Sequence, residues 1–118
     1  VRRDGFTLVE TMVALVVLAM GVLALTHLSV GMAVLMKTAG TKTELIARAE
    51  NRLEAVQARD YAQLTPGVEN DTVVVRGRVY RRRVTITAPS TRLREIQVVV
   101  EPLVAGGMTY STMTYVAR

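Results

Sequence analysis

Hydrophobic positions fall into three regimes along the chain. Residues 11–36 form an unbroken run of 26 positions without Asp, Glu, Lys or Arg. Their densest part, from Met12 to Leu25, is apolar throughout apart from Gly21. As a helix rising ~1.5 Å per residue, the run would extend roughly 39 Å, more than a hydrocarbon core of ~30 Å. It reads as a membrane span. A buried core helix is the first alternative, but the chain has too little other mass to cover such a helix on all sides. A cleaved secretory signal is the second, with Arg2-Arg3 as its basic region and Ser29-Val30-Gly31 as its cut site. Glu10 at the head of the run, and helical periodicity continuing past Ser29, count against it. Arg2 and Arg3 precede the run, and Lys37 and Lys42 follow it. Charge therefore orients it weakly, with the short N-terminus more easily kept in the cytoplasm than residues 37–118.

The second regime is amphipathic. Leu45, Ala49, Leu53 and Val56 recur at helical spacing with Ile46 beside them, while Lys42, Arg48, Glu50, Arg52, Glu54 and Arg59 occupy other faces. Glu44 and Arg48 form a favourable i,i+4 pair, and Glu50 and Glu54 a mildly repulsive one. No proline interrupts the chain before Pro66, so one helix from Phe6 to about Asp60 is predicted. Gly21, Gly31 and Gly40 are soft points within it, each costing ~1 kcal/mol relative to Ala in water. Thr65-Pro66-Gly67 is a firm stop.

The third regime alternates. Residues 72–76 are a β-branched run, Gly77 marks a turn, and residues 79–87 follow with Val84 and Ile86 on one face. A loop at 88–91 leads to residues 93–101, where Ile96, Val98 and Val100 share a face. Pro102 and residues 105–107 turn the chain again, and residues 108–117 supply a last strand rich in Thr and Tyr. Four strands with short links predict an antiparallel meander whose apolar face needs a cover. The stripe Ile46, Ala49, Leu53 and Val56 is the one available. The expected class is α+β: one long N-terminal helix, its first half transmembrane and its second half amphipathic, packed on a four-stranded antiparallel sheet. The expected divisions are a leader at 1–5, an apolar helix at 6–36 and a head at 37–118. Within the head, the helix runs to about 60, a loop spans 61–71 and the sheet spans 72–118.

Composition narrows the function. The chain of 118 residues contains no Cys and a single histidine, His27. Thiolate and His-rich metal sites are thereby excluded, and a catalytic triad is hard to build. Ser and Thr are plentiful, but no base is placed to activate one. No enzyme, cofactor or metal is expected. The net charge of +5 suits nucleic acid, anionic lipid or solubility alone.

The sharpest feature is Gly5-Phe6-Thr7-Leu8-Val9-Glu10 at the head of the apolar run. An ionised carboxylate at the lipid boundary costs a few kcal/mol or more unless a positive group meets it. A cut after Gly5 would expose a new amine at Phe6, one helical turn from Glu10. The two charges neutralise one another most naturally between neighbouring chains stacked with an axial offset, because on one helix the carboxylate is also claimed by free N–H groups.

With Met12-Val13-Ala14-Leu15 following, on a short basic leader, this segment closely resembles the type IV pilin family, which includes the pseudopilins of type II secretion. The resemblance covers about residues 2–36. It implies the pilin fold, cleavage after Gly5 by a prepilin peptidase and N-methylation of Phe6. It also implies assembly through a charge pair between Glu10 and the Phe6 amine of an adjacent subunit. The implied partners are other pilin subunits, the peptidase, an inner-membrane assembly platform and, before assembly, the lipid bilayer. The implied location is the bacterial inner membrane with the N-terminus cytoplasmic, then a pilus or pseudopilus at the cell surface or in the periplasm. Residues 47–55 look like those of PilV-type minor pilins and the I-type minor pseudopilin, which favours a minor subunit; a slim major pilin stays open. There are two departures. The leader begins with Val1 rather than Met, pointing to an unusual start codon or a trimmed start. Residues 24–28 also lack the proline that kinks many major pilins.

Other constellations carry plainer readings. Arg76, Arg78, Arg81, Arg82 and Arg83, with Tyr80 among them, could contact DNA or an anionic surface through phosphate pairing and stacking. On alternating faces, however, Arg78, Tyr80 and Arg82 point one way and Arg81 and Arg83 the other. A solvated, edge-protecting strand fits that better. His27 suits the outer interface or a subunit contact, and Met12, Met20, Met32 and Met36 suit adaptable packing. Two classes remain: a filament subunit, and a membrane-tethered or pilus-borne module that captures DNA or a surface.

Overall fold

The computed structural model describes residues 5–118, so Val1 to Asp4 of the expected leader lie outside the described residues. Two compact units divide the chain, one ending at Thr38 and the other formed by Ala39–Arg118. A single helix, α1 (Leu8–Gln57), contributes to both. In the first unit every described residue is exposed. This is the one helix, among the described residues, long and apolar enough to cross a membrane, and none of its most apolar window is buried. A core helix of a soluble domain would be covered. The polar groups of the run are mostly self-satisfied. The hydroxyls of Thr26 and Ser29 each donate to the carbonyl four residues back at 2.9 Å, and Thr11 does so to Thr7 at 3.2 Å, which suits a medium without water.

The second unit holds the core. Strands β1 (Gly67–Val75), β2 (Arg78–Ser90), β3 (Leu93–Pro102) and β4 (Tyr110–Ala117) form one antiparallel sheet in chain order. The predicted meander is therefore the one observed. Leu45, Ala49 and Val56 of α1 are buried in one cluster with Val75, Tyr80, Val84, Ile86, Ile96, Val98 and Val100 of the sheet and Leu64 of the connection. Alternation decides which strand residues take part, because successive side chains point to opposite faces. The helical stripe keeps Ala49 and Val56 as expected, with Leu45 in the place expected for Ile46. Leu45 is 1% exposed, whereas Ile46 and Leu53 are only half-buried.

Several boundaries differ from the sequence reading; the last strand, expected at 108–117, starts only at Tyr110. The helix ends at Gln57, not at about Asp60: Ala58 still donates to Glu54, but Arg59 N–H turns back to Val56 at 3.1 Å. A short 3-10 turn, Tyr61–Gln63, follows. Strand β1 starts at Gly67, so half of the expected loop 61–71 is sheet. Its residues Glu69, Asn70 and Asp71 are poor strand formers by type, yet they pair with Val84, Arg83 and Arg82 of β2, and tertiary pairing overrides local preference. The expected loop at 88–91 shrinks likewise, because β2 runs on to Ser90 through an irregularity between Thr87 and Ser90. Pro89, with no N–H to give a ladder, lies within that irregularity.

The β1–β2 connection is a two-residue turn, Arg76-Gly77, between the paired residues Val75 and Arg78. Both turn residues have positive φ, 48° for Arg76 and 79° for Gly77, as a type I′ hairpin requires. Glycine adopts this at no steric cost, while arginine does not.

Candidate processing and assembly site

The N-terminal motif is built around a helix cap. Thr7 precedes the first helical residue, and its Oγ1 accepts the N–H of Glu10 at 3.2 Å. This is one half of a capping box, which places Glu10 at the third helical position, where a carboxylate faces the positive end of the helix dipole. Gly5 and Phe6 lie ahead of the helix in irregular backbone, and Phe6 is 84% exposed. A Cβ added to Gly5 would meet no atom within 4 Å. Among the described residues nothing packs on Gly5 or pairs with the backbone of Gly5 and Phe6, the form in which a peptidase can take backbone into an extended site. Among the described residues, no cation pairs with Glu10. Just past it, Val9, Met12, Val13, Val16 and Val17 line a shallow apolar groove at i, i+3, i+4, i+7 and i+8, the spacing of a helix-packing seam.

The arginines of the hairpin do not form one patch. Arg82 donates to Asp71 through Nε at 2.8 Å and also through Nη2, and its Nη1 reaches the Arg48 carbonyl on α1 at 3.2 Å. Arg83 and Arg81 share Glu101, at 3.0 and 3.7 Å. Arg76 and Arg78 are exposed at the turn. Tyr80, expected as a stacking aromatic, is 1% exposed and belongs to the core, because it falls in phase with Val84 and Ile86 on the helix-facing side. It presents no ring face to a base.

A feature that the sequence concealed lies along one flank of the core. Arg52 and Arg59, assigned to solvent by periodicity, both turn onto Glu69 of β1, at 2.8 and 2.6 Å. Glu69 and Asp71 are spaced by two, so both face the helix, and each finds guanidinium there. The hydrogen bond from Arg59 is the largest influence holding the Glu69 carboxyl below its ordinary range; that from Arg82 does the same for Asp71. Only a hint of this was available, in the period-two placement of the two acids.

The lowered carboxylates tie stability to pH. The unfolded chain binds protons at Glu69 and Asp71 before the folded chain does, so folding is favoured above the ordinary carboxylate range. That gain is lost as pH falls through the lowered folded values. Both carboxylates are more than one-third exposed, so solvent screening keeps the effect modest. The unfolding midpoint of the head is expected to drop on acidification below about pH 4. Asp71→Asn should flatten that drop. An unchanged slope in Asp71→Asn would remove the Arg82 pair as its source.

Comparison with curated proteins and with solved structures gave no match. A family model described as the prokaryotic N-terminal methylation motif matches residues 2–26; it spans Gly5, Phe6, Thr7 and Glu10 together with the first turns of the apolar helix, and it marks this end of the chain as type IV pilin-like.

Proposed function

We propose that the chain is the precursor of a structural subunit of a type IV pilus or related pseudopilus, a minor subunit assembled through its N-terminal helix. The observation that carries this is the conjunction at the N-terminus. An open Gly5–Phe6 bond stands directly ahead of a Thr7-capped helix, and the apolar turns that follow are wholly uncovered. A prepilin peptidase removes residues 1–5, Phe6 is N-methylated, and the chain waits in the inner membrane with its N-terminus cytoplasmic. The assembly platform then adds it to neighbouring pilin subunits, where Glu10 answers the Phe6 amine of the adjacent chain. The look of residues 47–55 supports the minor role. Carboxylate partners on Arg81, Arg82 and Arg83, and the buried ring of Tyr80, favour this reading over a DNA-capturing head.

Mass spectrometry of the mature chain tests the processing step. The wild type is expected to begin at methylated Phe6, and Gly5→Val to retain the leader, because a branched side chain blocks close approach to the backbone. An identical mature mass from both would rule out the cut after Gly5.

A further inference from the structure

One end of the head combines charge and apolar surface in a way the filament reading does not use. In the antiparallel meander the Arg76-Gly77 turn and the segment joining β3 to β4 lie at the same end, and the Thr91-Arg92 turn at the other. The two are separated by the length of β2, ~40 Å for an extended strand of this size. Helix α1 enters the head at the first of these ends. The Arg76 guanidinium lies against Gly40, where an added Cβ would overlap it. Gly40 is the second residue of this unit, and four residues of chain span at most about 14 Å. Gly40 follows Met36, the last residue of the apolar run, by four residues.

What it displays there is unusual for a soluble surface. Val104 is 79% exposed, and Leu103 and Val79 are about half exposed. Together with Arg78, Pro102 and Ala105 they line a cleft of about 380 Å³. Arg76, Arg78 and Lys42 are exposed. Arg76 and Arg78 have no carboxylate partner among the described residues, in contrast to Arg81, Arg82 and Arg83. Arg76 also sits at φ 48°, where Asn or Gly would be the relaxed choice, so the backbone bears a cost to present a guanidinium there. At the far turn one cleft is lined by Thr91, Arg92 and Arg118; the neighbouring one includes Leu64, which is buried, and Tyr61, which is half-buried, so no strongly exposed aliphatic side chain stands there.

Basic side chains around exposed aliphatic ones are the composition of a surface that rests on lipid. We propose that this end of the head lies on the anionic bilayer surface before assembly. Arg76, Arg78 and Lys42 pair with phosphate headgroups there, and Leu103 and Val104 enter the acyl boundary. Arginine suits this task because its planar fork meets phosphate oxygens two at a time. The inference rests on the reading of residues 11–36 as a membrane span. Its consequence is a head held down on the membrane, to be released when a subunit leaves the bilayer.

The chain has no cysteine, so a single one places a probe uniquely. Full-length Val104→Cys, carrying an environment-sensitive fluorophore, would be reconstituted into phosphatidylcholine vesicles with and without phosphatidylglycerol. Quenching by lipids spin-labelled near the headgroup would be read, with Thr91→Cys as the far-end control. Quenching is expected at position 104 and not at 91, strengthened by phosphatidylglycerol and weakened by salt. One Lys or Arg near an anionic surface is worth about fivefold. Arg76→Gln with Arg78→Gln should therefore lower the head–surface equilibrium about 25-fold, with unchanged circular dichroism. Equal quenching at both positions, or no response to phosphatidylglycerol, salt or the double variant, would overturn the proposal. So would quenching that disappears on dilution to one copy per vesicle, since a second copy would then be the cover. Protein that fails to float with the vesicles would refute the span itself, and this inference with it.

Discussion

Glu10→Gln is expected to leave the chain expressed, cleaved and membrane-bound, yet depleted from filaments by a hundredfold or more. The substitution keeps the shape and removes the charge. Insertion should be no worse, since a neutral amide is easier to hold at the lipid boundary than a carboxylate. The helix start should also survive, because Thr7 Oγ1 caps the backbone N–H of residue 10 and not its side chain. On the proposed assembly, what disappears is the partner for the Phe6 amine of the adjacent subunit. Removing one member of a buried pair costs ~3–5 kcal/mol. The measurement is the ratio of Glu10→Gln to wild-type chain in sheared, purified filaments against the same ratio in membranes. Equal ratios would end the charge-pair mechanism. A membrane-tethered binding module would be missing from purified filaments in wild type and variant alike, so the wild-type level there separates the two functional classes.

The second large effect is expected in the head. Leu45→Ala should destabilise it by ~2–5 kcal/mol, the range for a fully buried leucine whose cavity cannot collapse. Leu45 is 1% exposed and joins α1 to the sheet through the cluster that includes Ile96 and Val98. Domains of this size have total stabilities of only ~5–15 kcal/mol, so one methyl-rich side chain carries a large share. Leu53→Ala, at a half-buried position packed on the edge of the same cluster, should cost about half as much. Urea unfolding of the two full-length variants in detergent measures the ranking. If Leu53→Ala proves as damaging as Leu45→Ala, the helix sits on the sheet in a different rotation from the one described.

Much of this molecule was legible in one dimension because its strongest signals are periodic and local. A charge-free run of 26 residues announces a span, whatever surrounds it. Alternation at Ile96, Val98 and Val100 assigns a buried strand face, and all three residues are fully buried. Gly5, Phe6 and Glu10 stand out for an equally local reason, since a carboxylate at the head of an apolar run calls for a partner wherever the chain folds; the roles given to them belong to the proposal. Tertiary structure decided what depends on partners distant in sequence. Strand pairing drew residues 67–71 into the sheet, because a polar segment becomes a strand once a neighbour satisfies its backbone. Helix rotation chose Leu45 over Ile46 by ~100°, a difference that a broad apolar stripe does not resolve. Arg52 and Arg59 were placed on Glu69, and Arg82 on Asp71, because charged side chains have the reach to leave their nominal face for a counter-ion. Tyr80 passed from candidate ligand contact to core for the simplest of these reasons. Its strand face was set by Val84 and Ile86, and a sheet with one side covered by a helix leaves no ring on that side exposed.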